Sequence, residues 1–131
     1  MLHHWDFNTD GTDSISGSNV TLVGAATISG GSLNIPGGAV FVDYGSVNLA
    51  TTLNNNPTLT IECWYTQNAL VNWSKVWMFG FDNAPGEPQL SYIDYTPFTG
   101  LGGNPPKIDF DPNDNNEFNA VANGTTLNQG Q

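Results

Sequence analysis

The chain has 131 residues, a length that suits one domain. Charged residues make up only 11% of it, and 2 basic against 12 acidic side chains give a formal charge of −10. This balance argues against binding to nucleic acid or anionic lipid, because both require a cationic surface. No stretch approaches the roughly 20 apolar residues that a membrane-spanning helix needs.

Apolar and polar residues alternate in short runs that Gly, Asn, Pro and Asp interrupt, and no helical periodicity is visible. This pattern predicts an all-β fold of about nine short strands without a helix. In chain order, the first strands are expected at residues 5–7, in a segment that begins at residue 20, and at 26–28 and 33–35 on either side of Gly30-Gly31. Further strands are expected at residues 40–44, 59–67, 75–81, 90–96, 107–111 and 118–122. Loops are expected at 54–57, 82–88 and 99–106, which are rich in Asn, Gly or Pro.

Two of these segments have particular consequences. Residues 59–67 show the strongest alternation, with Cys63 and Tyr65 on one face, and Cys63 is expected to be a small buried side chain. Residues 75–81 are apolar on both faces, which is typical of a central strand that is covered on both sides. Strands of these kinds bury their apolar residues most readily in a two-sheet antiparallel sandwich.

Three stretches resemble the laminin-G-like, concanavalin A-like jelly-roll domains of secreted bacterial proteins. They are LHHWDFN at 2–8, the turn from Asp13-Ser14 to Asn19, and LTIECWY at 59–65 leading on to Trp73 and Phe79. The resemblance implies a single domain over 1–131, an antiparallel two-sheet jelly-roll β-sandwich from an extracellular or cell-surface protein. It also implies that the last strands of the domain are missing, so that exposed sheet edges are expected to favour self-association.

Jelly rolls of this kind often bind saccharides, which stack on aromatic rings. The candidates for this contact lie on or beside loops and are Trp73, Trp77, Tyr92 and Tyr95. The alternative is that large aromatic side chains belong to the core, as they usually do. Core burial is favoured for Trp64 and Trp77, whereas Trp73 is open to both interpretations.

One Gly- and Ser-rich loop carries Asp10, Asp13 and Asn19, which offer the oxygen ligands that Ca²⁺ prefers. In relatives, the turn resembling Asp13-Ser14 sometimes contributes to a calcium site. The favoured alternative is that Asp13 caps a turn by accepting hydrogen bonds from nearby backbone groups. A second acidic loop lacks the spacing of an EF-hand; its members are Asp109, Asp111, Asp114 and Glu117.

The run Lys107-Ile108-Asp109-Phe110-Asp111 is similar to the Glu-x-Asp-x-Glu strand of glucanases in the same superfamily. Its charged side chains share one face, but Lys107 stands where those enzymes have their nucleophile, so hydrolysis is not expected. His3 and His4 are expected on opposite faces of a strand, and neither has a nucleophile partner within a recognisable motif.

We therefore expect a non-catalytic carbohydrate-binding or adhesion module of a larger extracellular protein. The alternative is a purely structural spacer or a protein-interaction domain without a ligand. Binding requires a solvent-exposed Trp or Tyr, whereas a spacer is expected to bury all four Trp.

Overall fold

A computed structural model of the chain describes residues 1–36, 43–56, 58–81, 91–99, 105–111 and 118–121. These residues form antiparallel strands and one short helix, so the predicted all-β class is confirmed. The chain divides into two compact units, Met1–Glu62 and Cys63–Gln131. The elements are β1 (Thr21–Val23), β2 (Thr27–Ser29), β3 (Ser32–Asn34), β4 (Tyr44–Ser46), α1 (Ala50–Asn55), β5 (Trp77–Phe81), β6 (Ser91–Thr96), β7 (Lys107–Asp111) and β8 (Phe118–Val121).

The first unit contains two small antiparallel sheets, one formed by β1 and β4 and the other by β2 and β3. The chain turns between β2 and β3 at Gly30 and Gly31, whose φ angles of 61° and 75° lie in the left-handed region that glycine adopts without strain. Two positive φ angles are typical of a type I′ turn, which matches the twist of the flanking strands. The predicted hairpin is confirmed.

The predicted first strand at Trp5 and Phe7 is wrong. Trp5 makes only an isolated bridge to Asp13. Phe7 has a φ of 54°, which places it in the left-handed region and interrupts an extended chain. The apolar alternation at 5–7 therefore reflects two half-buried rings on a loop rather than two residues of one strand.

A helix occurs where none is expected. α1 includes the first half of the Asn-rich segment that was predicted to be a loop at 54–57. The amide of Leu53 donates to the carbonyl of Leu49 at 2.9 Å, and the side chain of Asn56 donates to the carbonyl of Thr52 at 2.8 Å. The Asn56 side chain thus satisfies a carbonyl near the helix end, which intrinsic propensities alone do not predict.

The second unit contains a four-stranded antiparallel sheet with the order β5-β6-β7-β8. These strands confirm the predictions at 75–81, 90–96, 107–111 and 118–122 to within two residues at each end. Among the described residues, β5 lies at an edge of this sheet, so its predicted central position is wrong there. A strand with apolar residues on both faces can thus be half-buried at the edge of a sheet, and does not have to lie at its centre.

The predicted strand at 59–67 does not form. Alternation makes a segment suitable for a strand, but pairing with a neighbouring backbone decides the outcome, and no described strand pairs with these residues. Trp64 is 88% exposed and Cys63 is also exposed, so the expected burial of both is wrong.

Some of the predicted elements lie outside the described residues. They are the strand residues Val40, Val42, Leu90 and Ala122, the loop 82–88 and most of the loop 99–106.

Candidate functional site

The four-stranded sheet has two unlike faces. The polar face carries Tyr92, Asp94, Thr96, Lys107 and Asp109, and the apolar face carries Trp77, Phe79, Ile93, Tyr95, Ile108 and Phe110. The polar face is the better buried of the two: Asp94 is 0% and Asp109 is 2% exposed, whereas Phe110 on the apolar face is 49% exposed. Burial of charged groups is costly, so their partners decide what this face does.

Two ion pairs neutralise the polar face. The register places Asp94 directly opposite Asp109, and like charges in that position repel. The ammonium group of Lys75 contacts the carboxylate of Asp94, and Lys107 Nζ lies 2.9 Å from Asp109 Oδ1. The hydroxyl of Thr96 donates to Asp94 Oδ1 at 3.2 Å.

These two lysines are the only Lys or Arg residues in the sequence. A chain of net charge −10 therefore places both of its permanent cations against one pair of carboxylates. Each ammonium group also lies over an aromatic ring, with Lys75 Nζ 5.5 Å from the ring centre of Tyr92 and Lys107 Nζ 5.0 Å from that of Trp73. The site thus contains two sets of side chains, each with one Asp, one Lys and one aromatic ring.

Trp73 has the most unusual backbone in this cluster. Its φ is 63°, a left-handed conformation that bulky side chains rarely adopt. The amide of Trp73 donates to the carbonyl of Phe98 at 2.9 Å, which helps to hold this conformation. The indole remains 44% exposed although Lys107 lies against it. Strained residues that the surroundings hold in place are frequent at binding sites.

The predicted glycan-binding residues separate into two groups. Trp73 and Tyr92 lie with the lysines of the polar face. Trp77 and Tyr95 are opposite each other on the apolar face, with ring centres 6.4 Å apart. The structure therefore brings two of the four residues to the charged cluster and two to an aromatic group on the other side.

The pair of Trp77 and Tyr95 on the apolar face also contacts Tyr65 through the hydroxyl of Tyr95. Tyr65 Oη lies 3.0 Å from Tyr95 Oη, and the two rings meet edge to face. Burial, followed by the hydrogen bond with Tyr95, raises the pKa of Tyr65 well above its usual range. A depression of about 360 Å³ opens beside this group and is lined by Tyr95, Pro106, Lys107, Ile108, Ala120 and Val121.

The predicted calcium ligand Asp13 lies in the first unit and is surrounded by donors. Its Oδ1 accepts from the amides of His4 and Ile15, each at 3.0 Å. Its Oδ2 accepts from His3 Nδ1 at 2.7 Å and from the hydroxyl of Ser16. Burial acts to raise the pKa of Asp13, but the hydrogen bonds from Ser16, His3 and the two amides outweigh it and hold the pKa well below its usual range.

The other predicted calcium ligands take part in the same loop. The side chain of Asn19 accepts from the amide of Asp13 at 3.0 Å, and Asp10 accepts from the amide of Thr12 at 2.8 Å. The described residues contain no group of three or more His, Cys, Asp and Glu side chains that could hold a metal ion. This geometry matches the turn-capping alternative, and the calcium site stays a prediction.

The glucanase-like run is present on β7 but is paired differently. Lys107 and Asp109 share the polar face as expected, and they form a buried ion pair with each other. The acid that faces Asp109 is Asp94 of the neighbouring strand, which has its own lysine. The side chain of Asp111 lies outside the described residues, as do Asp114 and Glu117. Two carboxylates that each hold an ammonium group favour a structural ion-pair cluster over an acid and nucleophile pair.

Sequence reasoning did not identify Lys75, Asp94 or Thr96 as members of this site. The signal was nevertheless in the sequence, because Tyr92, Asp94 and Thr96 are two apart and so share one face of a strand. The sequence also has only two lysines against 12 acidic residues, so ion pairs of both lysines within one site could have been predicted.

Comparison of the chain with protein-family models, curated proteins and solved structures gave no match. Within the part of the chain that the structure describes, no helix is long and apolar enough to cross a membrane.

Proposed function

We propose that this chain is a carbohydrate-binding or adhesion module of a larger extracellular protein, built as a concanavalin A-like jelly-roll sandwich. The observation that carries the proposal is Trp73, a half-exposed indole that is held in a left-handed backbone conformation beside a charged cluster. An aromatic ring in that situation is a platform on which the apolar face of a sugar ring stacks.

The cluster under Trp73 favours a rigid platform. Lys107 Nζ lies 5.0 Å from the centre of the indole, and its charge is paired with the carboxylate of Asp109. The part of the ring that faces away from Lys107 is left for a ligand. Because Trp73 is already fixed before binding, little side-chain entropy is lost when the ligand arrives.

The charge of the chain favours an uncharged glycan. The two lysines and two aspartates of the cluster sum to zero, whereas the whole chain carries −10. A strongly acidic protein repels anionic polysaccharides over a distance of about 10 Å at moderate ionic strength. We therefore place neutral polysaccharides ahead of uronic acid-rich or sulfated ones as ligands.

Native affinity electrophoresis tests this proposal with soluble neutral β-glucan, xylan and mannan in the gel. At least one of them is expected to retard the chain, and Trp73→Ala is expected to weaken the retardation about tenfold or more, since truncation of an aromatic anchor often costs about 2 kcal/mol. Trp64→Ala is the matched control, because Trp64 is more exposed but lies outside the charged cluster. Retardation by none of the three, or equal effects of the two substitutions, would refute the proposal.

A protein-interaction module is the second candidate, and a specific observation favours it. Ile93, Ile108 and Phe110 are exposed side by side on the apolar face, and exposed apolar patches often mark sites of association. Association between copies through this face or the sheet edges predicts a concentration-dependent mass in analytical ultracentrifugation. Ile108→Lys is expected to abolish that dependence without altering the retardation by glycan, measured relative to the mobility of the same variant in a gel without glycan.

A further inference from the structure

His3 lies between a carboxylate and a hydroxyl in the first unit. Its Nδ1 is 2.7 Å from Asp13 Oδ2, and its Nε2 is 2.7 Å from Thr52 Oγ1. The three residues come from the N-terminal segment, the Asp13 turn and helix α1, and they are 10 and 39 residues apart along the chain. The order of groups is carboxylate, imidazole, hydroxyl, which is the arrangement that activates a nucleophile in hydrolases.

The contacts determine which nitrogen of His3 carries the proton. Asp13 is held ionised by its other donors, so its Oδ2 can only accept, and Nδ1 of His3 must donate. In the neutral imidazole Nε2 then has a free lone pair. The hydroxyl of Thr52 is left to donate to Nε2, which is the direction of transfer that a general base requires. Ser16 Oγ also lies 2.6 Å from Nδ1 while donating to Asp13, and these contacts fit the same tautomer.

The imidazole is held in one orientation. The ring of Trp5 stacks on His3 with centres 5.5 Å apart and planes 1° from parallel, and Trp5 Nε1 donates to the carbonyl of Ser18 at 2.8 Å. The side chain of His3 is only 10% exposed. Thr52 is half-buried, so part of this residue is open to solvent while its hydroxyl contacts the base. A base and hydroxyl held in this way need little rearrangement before reaction.

We propose that Thr52 is a nucleophilic hydroxyl, with His3 as its general base and Asp13 as a positioning residue, and that it reacts with carboxylic esters. Thr52 Oγ1 attacks the ester carbonyl and its proton passes to His3 Nε2. The ester C–O bond breaks, and the leaving alkoxide takes that proton to form the alcohol. Water then attacks the acyl-threonine, giving a proton to His3 and releasing the carboxylic acid, and the proton returns to Thr52.

This inference is independent of the proposed glycan site, which lies in the other unit. It also explains why sequence reasoning gave His3 no partner. The base, its positioning acid and the hydroxyl occur in no known local motif, and a turn and a short helix bring them together. The neighbouring His4 provides the contrast, because its Nδ1 contacts the hydroxyl of Ser14 at 3.0 Å and no carboxylate among the described residues forms an ion pair with it.

Covalent labelling with an alkyl fluorophosphonate tests the proposal on the full chain. Attack by Thr52 forms an O–P bond, the P–F bond breaks, and fluoride leaves together with the proton that His3 accepted. Intact-mass spectrometry is expected to show one adduct, and peptide mapping is expected to place it on Thr52. Thr51→Val, in the same helix turn, is the matched control and is expected to label normally.

Variants separate the chemical roles from folding. Thr52→Val removes the hydroxyl at nearly constant shape and is expected to abolish the adduct, whereas Thr52→Ser is expected to retain it. His3→Gln is expected to slow labelling at least about 100-fold, which is the usual contribution of a general base. For Asp13→Asn, a ¹⁵N spectrum of His3 is expected to show loss of the Nδ1–H tautomer, and labelling is expected to slow while Thr52 remains the labelled residue.

Two results would overturn the proposal. One is the absence of an adduct after hours with excess probe at a pH above the pKa of histidine. The other is an adduct that survives in Thr52→Val. Neither result depends on Asp13→Asn, so the proposal can be refuted even if that variant does not fold.

Discussion

Replacement of Lys107 by Met is expected to be among the most destabilising single changes on the polar face. The substitution keeps most of the aliphatic stem and removes the ammonium group that lies 2.9 Å from Asp109. Asp109 is 2% exposed, so water has little access to its carboxylate. Breaking a buried ion pair from one side typically costs about 3–5 kcal/mol, because an uncompensated charge remains. The whole free energy of unfolding of a small domain is about 5–15 kcal/mol.

The second half of a mutant cycle tests the reason for that loss. Lys107→Met combined with Asp109→Asn removes both charges of this pair, so neither position is left with a buried charge that has lost its counterion. Since neutral replacements of a buried pair are often tolerated, the double variant is expected to recover at least about 2 kcal/mol relative to Lys107→Met alone. Glu62→Gln, at an exposed position of the first unit, is the control and is expected to change stability by no more than about 0.5 kcal/mol.

Urea unfolding followed by circular dichroism provides the measurement. With a slope of about 1–3 kcal/mol per molar urea, a loss of 3 kcal/mol lowers the midpoint by about 1 M or more. Strictly additive effects of Lys107→Met and Asp109→Asn would refute the reasoning, because they would mean that the two groups are not coupled. A Lys107→Met midpoint equal to that of Glu62→Gln would refute it as well.

Two further predictions concern Asp13. Its folded-state pKa is held below the unfolded value of about 3.9, so its contribution to stability is complete above that value and is lost as the pH falls towards the folded pKa. Asp13→Asn is therefore expected to flatten the acid limb of a plot of urea midpoint against pH, whereas an unchanged limb would contradict the pKa assignment. The thermal midpoint is expected to be the same in calcium and in chelator, because four donors already occupy the Asp13 carboxylate; a rise with calcium would instead establish a native-state metal site.

The features that sequence reasoning predicts well are local. The β2–β3 turn follows from Gly30-Gly31 between two alternating runs, because few other residues adopt two successive positive φ angles. The bounds of β7 follow from Pro106 before the strand and Pro112 after it, since proline cannot donate to a sheet ladder. In both places the chemistry of adjacent residues is enough to decide the backbone.

The features that sequence reasoning does not predict depend on partners that are far apart along the chain. Residues 59–67 alternate well, but a strand also needs a paired neighbour, and alternation carries no information about one. The ion pairs of Lys75 and Lys107 depend on the register of β6 against β7, which places Asp94 opposite Asp109. The contact of His3 with Thr52 spans 49 residues and follows no periodicity. In each of these cases many partners are chemically acceptable, and the tertiary fold decides which of them forms the contact.

The position of both lysines explains why the polar face can be buried at all. Two carboxylates that face each other across a strand pair would repel, and at a net charge of −10 the rest of the chain supplies no other permanent cation to relieve them. Each lysine neutralises the negative charge of one aspartate and also lies over an aromatic ring. The two lysines and the two aspartates of this cluster therefore sum to zero charge inside an acidic protein. The ring of Trp73 lies against Lys107 of this cluster, so a ligand that stacks on Trp73 meets an aromatic surface backed by two neutralised ion pairs.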